Sequence, residues 1–175
     1  AKEVRFDSGE LAVITYTGGT TGLPKGVMLT NEGMNAVAQS FALAGSDHVW
    51  GERFLDIMPV FASYGVVCGI HMPVAARFEN VLVPDFIADR IGILVQKYRP
   101  ACMMGVPSFY ERLMHSKKEL GKNLSFLRTT GCGGDTMNAS LESRFNEFLR
   151  DHGGKYPLCQ GYGMSEISSA ATCCF

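Results

Sequence analysis

Short apolar runs alternate along the chain with longer amphipathic ones. Residues 11–16 (LAVITY) are rich in β-branched and aromatic side chains and end at a Gly/Thr cluster, which predicts a strand. A second short strand is expected over 27–30. Asn31 then caps an Ala-rich helix reaching about Ala44. Residues 54–58 read as a strand stopped by Pro59, and Ser63 opens a helix of small apolar residues that should be buried all round. The rhythm then becomes regular. Strands at 80–83, 101–104 and 126–131 lead to helices at 86–98, 107–115 and 139–151, and a strand at 156–160 follows. The last residues, 170–175, look like a further strand.

Strands alternating with helices of ten or more residues imply an α/β fold of layered βαβ units with a mostly parallel sheet. Ligands in such sheets bind beyond the carboxyl ends of the strands. Three glycine-bearing strand ends therefore matter most, at residues 17–26, 131–135 and 161–166.

Composition narrows the class. A chain of 175 residues with 46 % hydrophobic and 19 % charged residues reads as globular rather than disordered. Sixteen basic and seventeen acidic residues give a net charge of −1, and the basic residues are scattered, with Lys117-Lys118 the one adjacent pair. That pattern argues against a nucleic-acid partner, which asks for a clustered basic face. No apolar run approaches the roughly 18 to 20 residues of a membrane span, and His71 and Pro73 interrupt the best candidate, 64–76. The N-terminus lacks both Met and the layout of a signal peptide, which suggests a boundary within a longer chain. Cys68, Cys102, Cys132, Cys159, Cys173 and Cys174 show no metal-ligand spacing, so reduced cytoplasmic core thiols are expected.

The stretch Tyr16-Thr17-Gly18-Gly19-Thr20-Thr21-Gly22-Leu23-Pro24-Lys25-Gly26 is the most informative. Glycines let a tight backbone bring its N–H groups against an anion. Thr17, Thr20 and Thr21 add hydroxyl donors, and Lys25 adds a point charge suited to phosphate. This is a polyphosphate cradle by chemistry. It is not a Walker loop, because Leu-Pro separates Gly22 from Lys25, and it has no G-x-G-x-x-G spacing. A plain hairpin turn needs only two to five residues, so this loop is too long for that purpose alone.

The same run, continued by Val27-Met28-Leu29-Thr30, closely resembles the phosphate loop of the adenylate-forming (AMP-binding) superfamily, which includes the acyl-CoA synthetases. Gln160-Gly161-Tyr162-Gly163-Met164-Ser165-Glu166 looks like that family's Gly-Tyr-Gly-x-Thr-Glu signature. Met58-Pro59-Val60-Phe61, Gly105-Val106-Pro107-Ser108 and Gly133-Gly134-Asp135 fall between them in the family's order. The resemblance covers almost the whole chain. It implies an internal fragment of the large domain, with residues 1–48 as a phosphate-loop segment and 49–175 as a βαβ sheet segment.

On that resemblance Thr17, Gly18, Gly19, Thr20, Thr21, Gly22 and Lys25 would hold the β- and γ-phosphates of ATP. Gly133, Gly134 and Asp135 would lie along the adenine, with Tyr162 stacked on its other face. Ser165 would bond the α-phosphate, and Glu166 would help hold Mg2+. Gly161, Gly163, Ala62 and Gly65 would wall the acyl pocket, with Tyr64 projecting into it. Tyr162 also suits a half-buried sheet position and Glu166 a strand-end charge, though the family context favours the ligand roles. Asp135 fits adenine contact and capping of the helix near Ala139 equally well.

The implied reaction is attack of a carboxylate on the α-phosphate, release of pyrophosphate, and thioester formation with CoA. Departures bear on the thiol. Ala62 stands where many CoA synthetases have His, Ser165 where Thr is usual, Asn31 where His is frequent, and Arg77 where a small residue is common. An adenylation module charging a carrier-protein pantetheine is the alternative, and a non-catalytic nucleotide-binding module is a third. The family's ribose-binding Asp, its hinge and the lysine of its small domain lie beyond Phe175, and roughly its first third precedes Ala1. The fragment alone is therefore expected to be inactive and to self-associate as a homodimer through faces left uncovered.

Overall fold

The computed structural model describes residues 5, 7–18, 22–44, 49–116 and 120–174. Strands β1 (Leu11–Thr17) and β2 (Lys25–Thr30) pair antiparallel, with Thr17 opposite Lys25 and Ile14 opposite Met28. Period-two alternation turns Thr15 and Leu29 inward and leaves Ile14, Tyr16 and Met28 exposed. Helix α1 (Asn31–Ala44) follows directly. Its cap is not Asn31 as expected. The Thr30 hydroxyl accepts the Gly33 N–H at 3.2 Å, while the Asn31 amide reaches back to the Asp7 carbonyl at 3.0 Å.

The larger sheet has the order β4-β3-β5-β6-β7-β8. Its parallel strands are β3 (Arg53–Asp56), β4 (Glu79–Leu82), β5 (Cys102–Gly105), β6 (Thr129–Cys132) and β7 (Cys159–Tyr162). The short β8 (Thr172–Cys173) adds antiparallel to β7. The chain steps from β3 to β4 on one side, then crosses to β5 on the other. The strand order therefore reverses beside the carboxyl ends of β3 and β5, where open α/β sheets form ligand crevices. This is the mixed α/β architecture with a mostly parallel sheet that the alternation predicts.

Both faces of the sheet are covered, as parallel strands require. On one face Leu55, Met103 and Leu158 pack under α3 (Ile91–Tyr98), α4 (Pro107–His115) and α5 (Ala139–Asp151), through Ile91, Val95, Tyr110, Leu113, Phe145 and Leu149. On the other face Phe54 and Cys102 meet Ala38 of α1, Met72 and Phe78. The hairpin joins there through Leu29, which clusters with Met34, Val67 and Cys68.

Local differences from the expected elements have physical causes. The helix after Ser63 is a π-helix over Tyr64–His71 that passes into α2 (Met72–Ala75). Pro73 has no N–H to offer the Gly69 carbonyl, which instead accepts from the Asn80 side chain at 2.8 Å. Strands β6 and β7 each begin three residues later than their apolar runs. The helix expected over 86–98 is a 3-10 turn at Ala88–Arg90 followed by α3, because Phe86 packs edge-on against Phe109 instead of entering the helix. Helix α5 is capped by Asn138, whose Oδ1 accepts the Leu141 N–H at 2.8 Å. Asp135 does not cap it. Its carboxylate accepts the Thr136 N–H at 2.7 Å and stays exposed. Among the described residues no helix is long and apolar enough to cross a membrane.

Candidate functional site

A cavity of about 730 Å³ lies between α1 and the sheet face carrying Met104. Val37 and Phe41 of α1 form one wall, and Tyr64 and Cys68 of the π-helix another. Gly131, Cys132 and Cys159 form the strand floor, and the loop from Tyr162 to Ala171 closes the end. Glycine and alanine leave the room. Every charged side chain of the described residues lies outside its lining.

At the carboxyl ends of β6 and β7 several expected residues converge. Gly133 and Gly134 lie beside the Tyr64 ring, where an added Cβ would make ordinary contact with it at 3.7 and 3.6 Å. Gly134 has φ +77°, in the left-handed region that favours glycine. The Tyr64 hydroxyl donates to the Gly105 carbonyl at 3.4 Å. Tyr162 ends β7 with 65 % of its surface exposed, so its ring face is open. Gly163 is required by packing, since any side chain would collide with the Ser169 carbonyl.

Beyond Gly163 the chain makes a 3-10 turn, Ser165–Ile167, which ends in two left-handed serines, Ser168 (φ 58°) and Ser169 (φ 88°). The turn lies beside β2. This packing brings the strand that Lys25 opens next to Ser165 and Glu166. Ser165 is half-buried, and its Oγ is 2.8 Å from the buried hydroxyl of Ser63. Glu166 and Lys25 are exposed. Thr17 is half-buried opposite Lys25, and Gly18 and Gly22 have open space where a Cβ would stand, Gly22 at φ +100°. Gly19, Thr20 and Thr21 lie outside the described residues.

Two expected pocket residues sit elsewhere. Ala62 and Gly65 do not line the cavity. Gly65 is glycine because a Cβ would strike the Pro59 carbonyl. Conversely, the walls from α1, together with Cys68, Met104, Ser168 and Ser169, had not been expected. Gly33 is the signal that was available. A glycine in a helix is costly, and here it makes room for Ser168, which a Cβ would strike.

Burial disfavours ionisation of Tyr64 and of Cys68, Cys132 and Cys159 around the cavity. Burial pushes the Tyr64 hydroxyl well up. Burial raises the Cys68 thiol to about 11, against a weaker opposing hydrogen bond from Ser169, and raises Cys132 and Cys159 to about 12. All six thiols are free. The raised Cys68, Cys132 and Cys159 thiols are poor nucleophiles. Among the described residues no three His, Cys, Asp or Glu side chains cluster to hold a metal. Glu166 supplies a single open carboxylate. That fits Mg2+, which is commonly held by one or two carboxylates together with substrate phosphates and waters.

The family of AMP-binding enzymes matches this chain over residues 1–175. The chain belongs to that family. This AMP-binding chain is 33 % identical over 160 residues to a long-chain-fatty-acid–CoA ligase of Bacillus subtilis (strain 168), covering 91 % of the chain and 28 % of that protein. It is 30 % identical over 176 residues to a probable 4-coumarate–CoA ligase 3 of Dictyostelium discoideum, covering 98 % of the chain and 30 % of that protein. The AMP-binding chain thus spans less than a third of the length of these relatives. Its fold resembles McyG A-PCP complexed with phenylalanyl-adenylate (TM-score 0.85, 22 % identity, 99 % of this chain and 29 % of that one). It also resembles ATP-bound MatB from Rhodopseudomonas palustris (TM-score 0.80, 24 % identity, 97 % and 32 %).

Proposed function

We propose that the full-length protein is an AMP-forming acid–thiol ligase that activates a hydrophobic carboxylic acid, fatty or aryl, and transfers the acyl group to CoA. The observation that carries this reading is the cavity. It is large, its lining is uncharged, and that lining includes Gly133, Gly134, Tyr162 and Ser165 at the strand ends. An α-ammonium buried there would lack a counter-ion, which is costly; an acyl chain or ring would not. The relatives named as fatty-acid–CoA and coumarate–CoA ligases support the same substrate class and thiol.

The residues divide the work by position. The adenine lies between the Tyr162 ring and the Gly133-Gly134-Asp135 loop. Thr17, Gly18 and Gly22, with Gly19, Thr20 and Thr21, cradle the β- and γ-phosphates, and Lys25 offsets their charge. Ser165 donates to an α-phosphate oxygen. Tyr64 and the glycines at 161 and 163 shape the pocket mouth. One oxygen of the acid attacks the α-phosphorus, the bond to the β-phosphate oxygen breaks, and pyrophosphate leaves. The CoA thiol then gives up its proton to solvent, its sulfur attacks the acyl carbon, and AMP departs with the bonding pair. Mg2+ held beside Glu166 would neutralise charge on the phosphates. The protein's contribution is orientation and preorganised electrostatics, with no covalent nucleophile of its own. Free thiols fit a reducing, cytoplasmic setting. The 175-residue piece alone forms no adenylate and pairs as a two-fold dimer through its exposed apolar hairpin face.

Acid-dependent exchange of pyrophosphate into ATP by the full-length protein tests the reading. Fatty and aryl acids are expected to support exchange well above any amino acid. The reverse order would favour an adenylation module that charges a carrier protein and would sink this proposal.

A further inference from the structure

Ser63 stands immediately before the π-helix, at the position where a serine usually caps a helix, yet its hydroxyl makes no cap bond. It points instead to Ser165, 102 residues away in sequence, at 2.8 Å between oxygens. Ser63 is 7 % exposed, and its backbone is held tightly. The Ala62 N–H donates to the Pro59 carbonyl at 3.1 Å, the Val66 N–H donates to the Ala62 carbonyl at 3.0 Å, and Gly65 is jammed against Pro59. Ser165 has no such anchor for its side chain. An unbranched serine samples three staggered wells, whereas a β-branched threonine is stiff at χ1.

We infer that Ser63 is a positioning residue whose hydroxyl holds Ser165 Oγ in the one rotamer that serves adenylation. When Ser63 donates to Ser165, the Ser165 proton is free to point at an anionic oxygen, and the two hydroxyls polarise one another in series. Ser63 thereby supplies from outside the restraint that a threonine at 165 would supply from its own γ-methyl. The role for Ser165 rests on the proposed function; the restraint itself rests on the geometry.

The test is a double-mutant cycle in the full-length protein. Ser63→Ala is expected to lower the exchange kcat about three- to tenfold, the cost of freeing one rotor and losing one hydrogen bond. KM for ATP and for the acid should stay within about twofold, as a change in the transition state alone requires. In a Ser165→Thr background the same Ser63→Ala change should cost less than about twofold, whatever rate that background has. Crystal structures of the full-length protein add a readout free of turnover. Ser165 should show one rotamer with Ser63 present and several in Ser63→Ala. Equal losses in both backgrounds, or a single Ser165 rotamer in Ser63→Ala, would overturn the inference. A parent with no exchange activity would overturn the proposed function, and the rotamer comparison would still decide this one.

Discussion

Asp56 ends β3 almost wholly buried, with Oδ1 accepting the Met58 N–H at 3.1 Å and Oδ2 without a partner among the described residues. Gly69 passes so close that a Cβ there would lie 2.6 Å from Oδ1. Desolvation outweighs the one backbone hydrogen bond and raises the carboxyl to about 6. A folded-state value above the unfolded one means the native state binds the extra proton. This contribution to stability is therefore fully present below about pH 4 and is lost as pH rises to about 6, a difference of at most about 3 kcal/mol. Melting of the full-length protein and of Asp56→Asn across pH 4 to 7 checks this. The variant should gain on the parent as pH rises through that window and level off above it. A gap that ignores pH would refute the assignment. Lys25 differs in kind, being exposed. Lys25→Ala should lower exchange about 10²-fold, the scale of removing one preorganised donor, while leaving the acid KM unchanged. Unaltered exchange would remove the phosphate role.

The elements that matter most are joined at their ends. Gly163→Ala would drive a methyl into the Ser169 carbonyl and displace the loop that carries Ser165. It should destabilise the fold by about 1–3 kcal/mol and abolish exchange, as chemical denaturation and the exchange assay would report; an unaffected variant would contradict the described loop packing. Asn138→Ala, remote from the site, should cost about 1 kcal/mol by removing the α5 cap and leave the chemistry intact. The alternation of apolar runs was enough to read the strands, the crossovers and the three glycine-bearing strand ends, because those signals are local. The π-helix was not legible, since no local pattern over residues 64–71 separates it from an α-helix. The cap of α1 was misplaced at Asn31, where Thr30 competes one position away, and of the two roles open to Asp135, capping falls to Asn138 instead. The α1 wall of the cavity was hidden as well. Val37 and Phe41 belong to no motif, and only tertiary packing brings them to the cavity wall.

At the scale of the molecule, the hairpin leaves Ile14, Tyr16 and Met28 on one exposed face. The chain spans about 28–30 % of the length of its CoA-ligase relatives. Apolar faces of this kind find partners, so the isolated chain should sediment as a dimer, and a monodisperse monomer would refute that. It should also catalyse no acid-dependent exchange, and measurable turnover by the piece alone would show that the residues carrying the reaction have been misassigned. The most direct test of the account is a crystal structure of the full-length protein with a non-hydrolysable fatty-acyl or aryl adenylate analogue. The acyl group should fill the space between α1 and the sheet, against Val37, Tyr64 and Met104, with the adenine between Tyr162 and Gly133-Gly134. An acyl group seated elsewhere, with that cavity still empty, would contradict the account.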